Sequence, residues 1–180
     1  MDRSGLVGLA ALSLAVAGCG GSTAPVATGP VAAPMTIHLS SPAFANGAHI
    51  PVRYTCQGAD VSPPLRWSRP PTSAKELAVR MVDLSAPGGP FTHWALARIP
   101  PTTRNLRAGE ALPGTVAGRN GFGKTAYGGP CPPAGKPHHY VIELLALRRR
   151  LRISSGFASG VLARQRPIAA GVLRGTYSRG

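Results

Sequence analysis

Acidic side chains are scarce in this 180-residue chain. Six Asp and Glu stand against twenty Lys and Arg, nearly all of them Arg, for a formal net charge of +14. Such a surface is drawn to anionic lipid headgroups, nucleic acid or cell-wall polyanions, although an Arg-biased composition on an ordinary fold explains the charge equally well. Aromatic residues make up only 6% of the chain and do not interleave with Arg. The stacking surface that nucleic acid needs is therefore missing, and no nucleic-acid partner is expected. The three cysteines form no CxxC spacing, so no metal site is expected either. What the chain does have is 43% hydrophobic residues and a mean hydropathy of +0.04, enough for one folded domain with one core.

Residues 1–19 begin with a short polar start carrying Arg3 and continue as an apolar run from Leu6 to Ala17. The run is too short to span a bilayer and has the length of a secretory signal. It closes on Val16-Ala17-Gly18-Cys19, which looks like a bacterial lipobox, with Cys19 as the lipidated (palmitate-type) first residue of the mature chain; an ordinary cleaved signal is the alternative. Acyl chains at about 0.8 kcal/mol per buried CH₂ would hold such a protein to the cell membrane on its extracytoplasmic side. Residues 20–35 are mostly Gly, Ala, Pro, Ser and Thr with no charge and read as a disordered tether, reaching roughly 20 Å. The folded domain is expected over 36–180. With Cys19 assigned to lipid, Cys56 and Cys131 remain, and in an oxidising compartment they either pair or stay as two buried thiols.

Within the domain, Thr36–Leu39 and Ile50–Thr55 read as short strands, and a Pro-stiffened crossing from Cys56 returns as a brief strand at Trp67. Glu76–Asp83 alternates with Leu77, Val79, Met81 and Asp83 on one face. His93–Ile99 places His93, Ala95, Ala97 and Ile99 together by the same period. If these two runs pair as a hairpin, Asp83 and His93 sit near each other at its mouth. Phe157–Gln165 and Pro167–Leu173 have helical spacing, with Pro167 suited to a first helical position and Gly175 to a helix end. Strands separated by Gly/Pro turns, followed by short helices, predict a mainly β (α+β) sandwich of two antiparallel sheets.

The stretch from Tyr127 to Tyr140 is the most informative. Tyr127-Gly-Gly-Pro-Cys-Pro-Pro133 is neither helix nor central strand, and its backbone amides can face a ligand. It leads into Tyr140–Leu147, the most strand-like run in the chain, where period two sets His138, Tyr140 and Ile142 on one face and His139 and Val141 on the other. Gly118 to Thr125 matches the G-x-x-x-x-G-K-[ST] phosphate loop letter for letter. It lacks the buried strand before it, the helix after it and any acidic partner strand, so nucleotide binding is not expected.

In order along the chain stand Asp83-Leu-Ser-Ala-Pro87 with His93-Trp94, Gly118 to Thr125 with Gly128-Gly-Pro-Cys-Pro-Pro133, and His138-His-Tyr140. Together these resemble the phosphatidylethanolamine-binding protein family, in its bacterial Raf-kinase-inhibitor-like branch. Cys56 to Leu65 and Gly175-Thr-Tyr177 fit the branch as well. The resemblance implies two antiparallel sheets with short C-terminal helices and a small surface pocket for a phosphate-like or carboxylate anion. By matched motifs that pocket would use Asp83, His93, the backbone of Gly129, Pro130 and Cys131, His138 and Tyr140. His93 and His138 would donate to the anion, the loop amides and the Tyr140 hydroxyl would add to them, and Asp83 would orient an imidazole or accept from an ammonium group. The chain departs from the family at Ser85 and His139, where Asp and Arg are usual. If those two contact each other in relatives, Ser85 and His139 should lie together.

The expectation is a binding module for an anionic small molecule or phospholipid headgroup, with no cofactor and no enzyme activity. One alternative is a hydrolase using Asp83, His93 and His138, with Cys131 as nucleophile; another is a surface inhibitor of a kinase or protease. The blandest reading has the same histidines and Tyr140 merely satisfying buried polar groups.

Overall fold

In a computed structural model that describes residues 34–179, the two longest alternating runs of the sequence lie side by side at the centre of the larger sheet. The leader, the Cys19 lipidation site and nearly all of the tether fall outside the described residues. The described residues form ten strands: β1 (Met35–Thr36), β2 (Leu39–Ser40), β3 (Leu65–Trp67), β4 (Glu76–Asp83), β5 (Phe91–Ile99), β6 (Asn105–Leu106), β7 (Val116–Arg119), β8 (His138–Leu147), β9 (Phe157–Ala158) and β10 (Ala169–Tyr177). The seven-stranded sheet runs β1-β10-β8-β4-β5-β7-β9 and the three-stranded sheet β2-β3-β6. Pairing is antiparallel except at two edges, where β1 lies parallel to β10 and β7 parallel to β9.

Leu77, Val79 and Met81 of β4 and Ile142 and Leu144 of β8 enter the main core with Leu65 and Trp67 of the small sheet. Ala78, Ala95, Leu145 and Leu147 face the other way, against Phe157 and Leu162. Burial on both faces explains why Ala78, Ala95, Leu145 and Leu147, rather than polar residues, stand on this second face. Arg80 and Glu143, cross-strand neighbours, are ion-paired.

The structure corrects three expectations. Val52–Tyr54 is a single 3₁₀ turn rather than strand: Ile50 donates its amide to the Thr176 carbonyl, and Pro51, at φ −59°, starts the turn. Among the described residues the only α-helix is α1 (Gly160–Ala163), one turn long; Phe157–Ala158 is strand, and Pro167–Leu173 leads into β10 instead of a helix. β10 wins because its backbone completes a nine-residue ladder with β8, closing the edge of the sheet. Finally, Ile99 does not share a face with Ala95 and Ala97. β5 carries an extra residue between its pairings Leu77–Ile99 and Val79–Leu96, and Arg98 there adopts φ +60°. This bulge turns Ile99 into the main core beside Trp94 and Leu96, while Ala95 and Ala97 stay on the opposite face.

Candidate functional site

At one end of the central strands Asp83 is flanked directly by Phe91 of β5 and Tyr140 of β8. Here β5 has a second irregularity: Met81 pairs with Trp94 and Val82 with Thr92, so His93 is left without a partner as the extra residue of a bulge. Bulges re-aim side chains, and this one brings the His93 ring to 5.3 Å from that of Tyr140. A cavity of about 130 Å³ opens between Asp83, His93, His138 and Cys131, walled by Phe91, Phe122 and the Ala86-Pro87 and Pro132-Pro133 pairs. At about 30 Å³ per water it has room for roughly four waters, the scale of a phosphate or carboxylate group.

Both imidazoles are tethered through one nitrogen. His138 Nδ1 lies 2.7 Å from Asp83 Oδ2, while Asp83 Oδ1 accepts the Ser85 amide at 2.8 Å. His93 Nδ1 donates to the Gly128 carbonyl at 2.7 Å, with the Gly129 carbonyl at 3.1 Å. These carbonyls only accept, so Nδ1 of His93 carries its proton and Nε2 is the nitrogen left for a ligand. Burial lowers the His93 pKa, and the two carbonyls and Asp83 offset only part of that. The ring is therefore neutral near pH 7, and Nε2 accepts a hydrogen bond there. This revises the expectation that both histidines donate.

The proline loop is a brace more than a ligand cradle. The Gly129 amide donates to Asp60 Oδ1 at 2.6 Å and Pro130 has no N–H, so of these three residues only Cys131 has an amide that no protein group takes up. A Cβ at Gly129 would sit 2.5 Å from the Tyr54 carbonyl oxygen and 2.8 Å from Asp60 Oδ1, so only glycine fits there. The Cys56 amide donates to the Pro130 carbonyl at 3.1 Å, and Cys56 and Cys131 are joined by a disulfide. The Tyr127 hydroxyl donates to the Tyr54 carbonyl at 2.7 Å. Tyr140 lies behind His93 and is not part of the cavity wall. Its hydroxyl is buried beside Asp83, and burial, reinforced by the Asp83 carboxylate, holds it protonated far above the ordinary phenol range.

Ser85 and His139 do lie together: the hydroxyl is 3.2 Å from His139 Nδ1 and accepts the His139 amide at 3.0 Å. His139 is outside the cavity. The nucleotide-loop look-alike is a turn clasped by Asn120, whose Oδ1 accepts the amides of Phe122 and Lys124 and whose Nδ2 donates to the Ala126 carbonyl. The turn carries Phe122 to the cavity rim, edge-on to His93 and Phe91 at centroid distances of 5.4 and 4.8 Å.

Sequence reasoning missed Asp60, Phe91 and Phe122. Phe91 flanks the His93-Trp94 motif and Phe122 lies within the Gly118 to Thr125 stretch; Asp60 carries no signal inside its Pro-rich crossing, and the structure finds it in a left-handed turn at φ +53°.

The sequence matches the phosphatidylethanolamine-binding protein family over residues 40–178. A Mycobacterium tuberculosis protein named "Putative lipoprotein LppC" is 39% identical over 170 residues, covering 86% of this chain and 84% of its own length. Among solved structures, the phosphatidylethanolamine-binding protein homologue CT736 of Chlamydia trachomatis is similar, with a TM-score of 0.75, 33% identity and coverage of 81% of this chain and 99% of that one. YbcL of E. coli, described as a new member of the mammalian family, has a TM-score of 0.74 and 31% identity, covering 80% and 99%.

Proposed function

Because the chain belongs to the phosphatidylethanolamine-binding protein family, we propose that the cavity binds a small phosphate-like or carboxylate anion. In this reading the protein is a membrane-tethered, extracytoplasmic binding module and not an enzyme. The observation that carries it is the pair of imidazoles on one cavity of about 130 Å³, each tied back through Nδ1. Neutral His93 offers an acceptor at Nε2. His138, backed by the Asp83 carboxylate, is the ring suited to donate from Nε2 once it holds both protons. One acceptor beside one charge-assisted donor fits an oxyanion that still carries a proton, such as the singly protonated form of a phosphate monoester, whose second pKa is about 6. The ammonium of an ethanolamine headgroup could supply the proton for His93 instead.

The enzyme alternative has a carboxylate–imidazole pair but little to activate. No Ser or Thr is among the residues that line the cavity, and the Cys131 sulfur is held in the disulfide. For the anchor, the Val16-Ala17-Gly18-Cys19 pattern and a relative named as a lipoprotein support lipidation at Cys19. Among the described residues no helix is long and apolar enough to cross a membrane.

Calorimetry with inorganic phosphate and with phosphoethanolamine tests the reading. Heat of binding should be present in the native protein and absent in both His93→Ala and His138→Ala. Hydrolysis of generic phosphate or acyl esters that vanishes in the same two variants would overturn it.

A further inference from the structure

The cavity and the point where the tether joins the domain lie at opposite ends of the sheet. β8 is a ten-residue strand that begins at His138 in the cavity and ends at Leu147, roughly 30 Å away at about 3.3 Å per residue. Met35, the first strand residue, pairs with Ala169 at that far end and donates its amide to the Ile168 carbonyl at 3.0 Å. Ile168 in turn donates to Ala146 at 2.9 Å. So the chain coming from Cys19 joins the fold at the Leu147 end.

That same end holds a dense group of cations. Arg148, Arg149 and Arg166 are exposed and line one groove of about 300 Å³ with Ile168; Arg150 and Arg152 are exposed nearby in the chain, and so is Lys75, whose amide donates to the Leu147 carbonyl at 2.8 Å. Among the described residues the ion pairs are Arg80–Glu143 and Asp83–His138, neither in this group. Glu76, the carboxylate at this end, is buried and accepts the Leu151 amide.

From this juxtaposition we infer that the Arg148–Arg149–Arg166 face docks on the anionic surface of the membrane that carries the Cys19 anchor. This rests on the lipid anchor proposed above. The tether brings the arginines to the bilayer, and each basic residue near an anionic leaflet strengthens adhesion about fivefold. Docked in this way, the cavity opens away from the anchoring bilayer by roughly 30 Å, beyond the reach of headgroups in that leaflet. Its ligand then arrives from the compartment the domain faces.

The test uses the full lipidated protein reconstituted on vesicles of phosphatidylcholine alone, or of phosphatidylcholine and phosphatidylglycerol in equal parts. Arginine modification by phenylglyoxal is read by peptide mass spectrometry at low and high salt. Arg148, Arg149 and Arg166 should react at least about tenfold more slowly on the anionic vesicles, and the protection should disappear in high salt. Arg107 and Arg119 should react alike on both. Replacing the three arginines by Glu should speed exchange between anionic vesicles roughly a hundredfold more than between neutral ones. Retention on neutral vesicles at any salt reports the anchor separately: its loss removes the anchor reading, while salt-sensitive protection on anionic vesicles would still uphold the docking face. Equal modification on both vesicle types would overturn the proposal. So would stronger protection of the same arginines by added duplex DNA, which would make the face a nucleic-acid surface.

Discussion

His138 Nδ1 and Asp83 Oδ2 are 2.7 Å apart at the edge of the cavity, and this carboxylate–imidazole pair decides which nitrogen His138 can offer a ligand. In Asp83→Asn the ring loses both its orienting acceptor and the negative charge behind an imidazolium. A hydrogen bond to a charged partner contributes about 1.5–3 kcal/mol, so phosphate affinity should fall roughly ten- to a hundredfold. Ring ¹⁵N spectra should show His138 changing its tautomer while His93 keeps its own.

The pKa of His93 is lowered by burial, so the folded state resists the proton that the unfolded chain accepts near pH 6.5. Unfolding is then favoured as pH falls: stability is complete above the unfolded pKa and declines below it, until the folded ring also protonates. Urea unfolding from pH 8 to pH 5 should show this slope, and its difference from His93→Asn should isolate the contribution of His93. An identical slope in the variant would contradict it.

The Cys56–Cys131 bond closes a loop with a sequence separation of 75 residues and holds the proline loop beside Tyr54. Its removal in a Cys56→Ser, Cys131→Ser variant should cost about 2–5 kcal/mol, measured by urea unfolding. Because Cys131 also lines the cavity, phosphate binding should weaken further than the stability loss alone requires.

Gly129→Ala tests the brace directly. The added methyl would press on the Tyr54 carbonyl and on Asp60 Oδ1, both closer than any relaxed contact. A loss of about 1–3 kcal/mol is expected from the overpacking, together with weaker phosphate binding as the Gly128 and Gly129 carbonyls shift away from His93. Unchanged stability would show that the loop yields.

Ser85 and His139 should behave as a coupled pair. In a double-mutant cycle with Ser85→Ala and His139→Ala, the contact of the hydroxyl with the ring should give a coupling of about 0.5–1 kcal/mol. The pair is exposed and outside the cavity, so phosphate affinity should stay the same.

How far the sequence reveals this molecule depends on how regular each element is. β4 and β8 alternate without interruption, and the Asp83, His93 and His138 cluster follows once they are paired. β5 is harder, since each of its bulges inserts one residue and leaves no trace in composition; Ile99 was assigned to the wrong face for that reason. β10 was hidden because glycines hold two of its inward positions. A Cβ at Gly171 would meet the Ile37 carbonyl oxygen at 2.6 Å, and one at Gly175 would meet Ile50 at 2.6 Å. With Ala169, Leu173 and Tyr177 as the remaining inward side chains, helical spacing matches the sequence better. The loop amides were overestimated because nothing in the Cys56–Trp67 crossing marks Asp60 as the partner of Gly129.

The most direct test is a titration of the ¹⁵N-histidine-labelled protein with inorganic phosphate at pH 6, read at the ring nitrogens. The Nε2 resonances of His93 and His138 should move together along one saturable curve, while His38 and His49 stay in place. Movement of neither ring, in a protein that remains folded, would mean that two anchored imidazoles can share this cavity without forming an anion site.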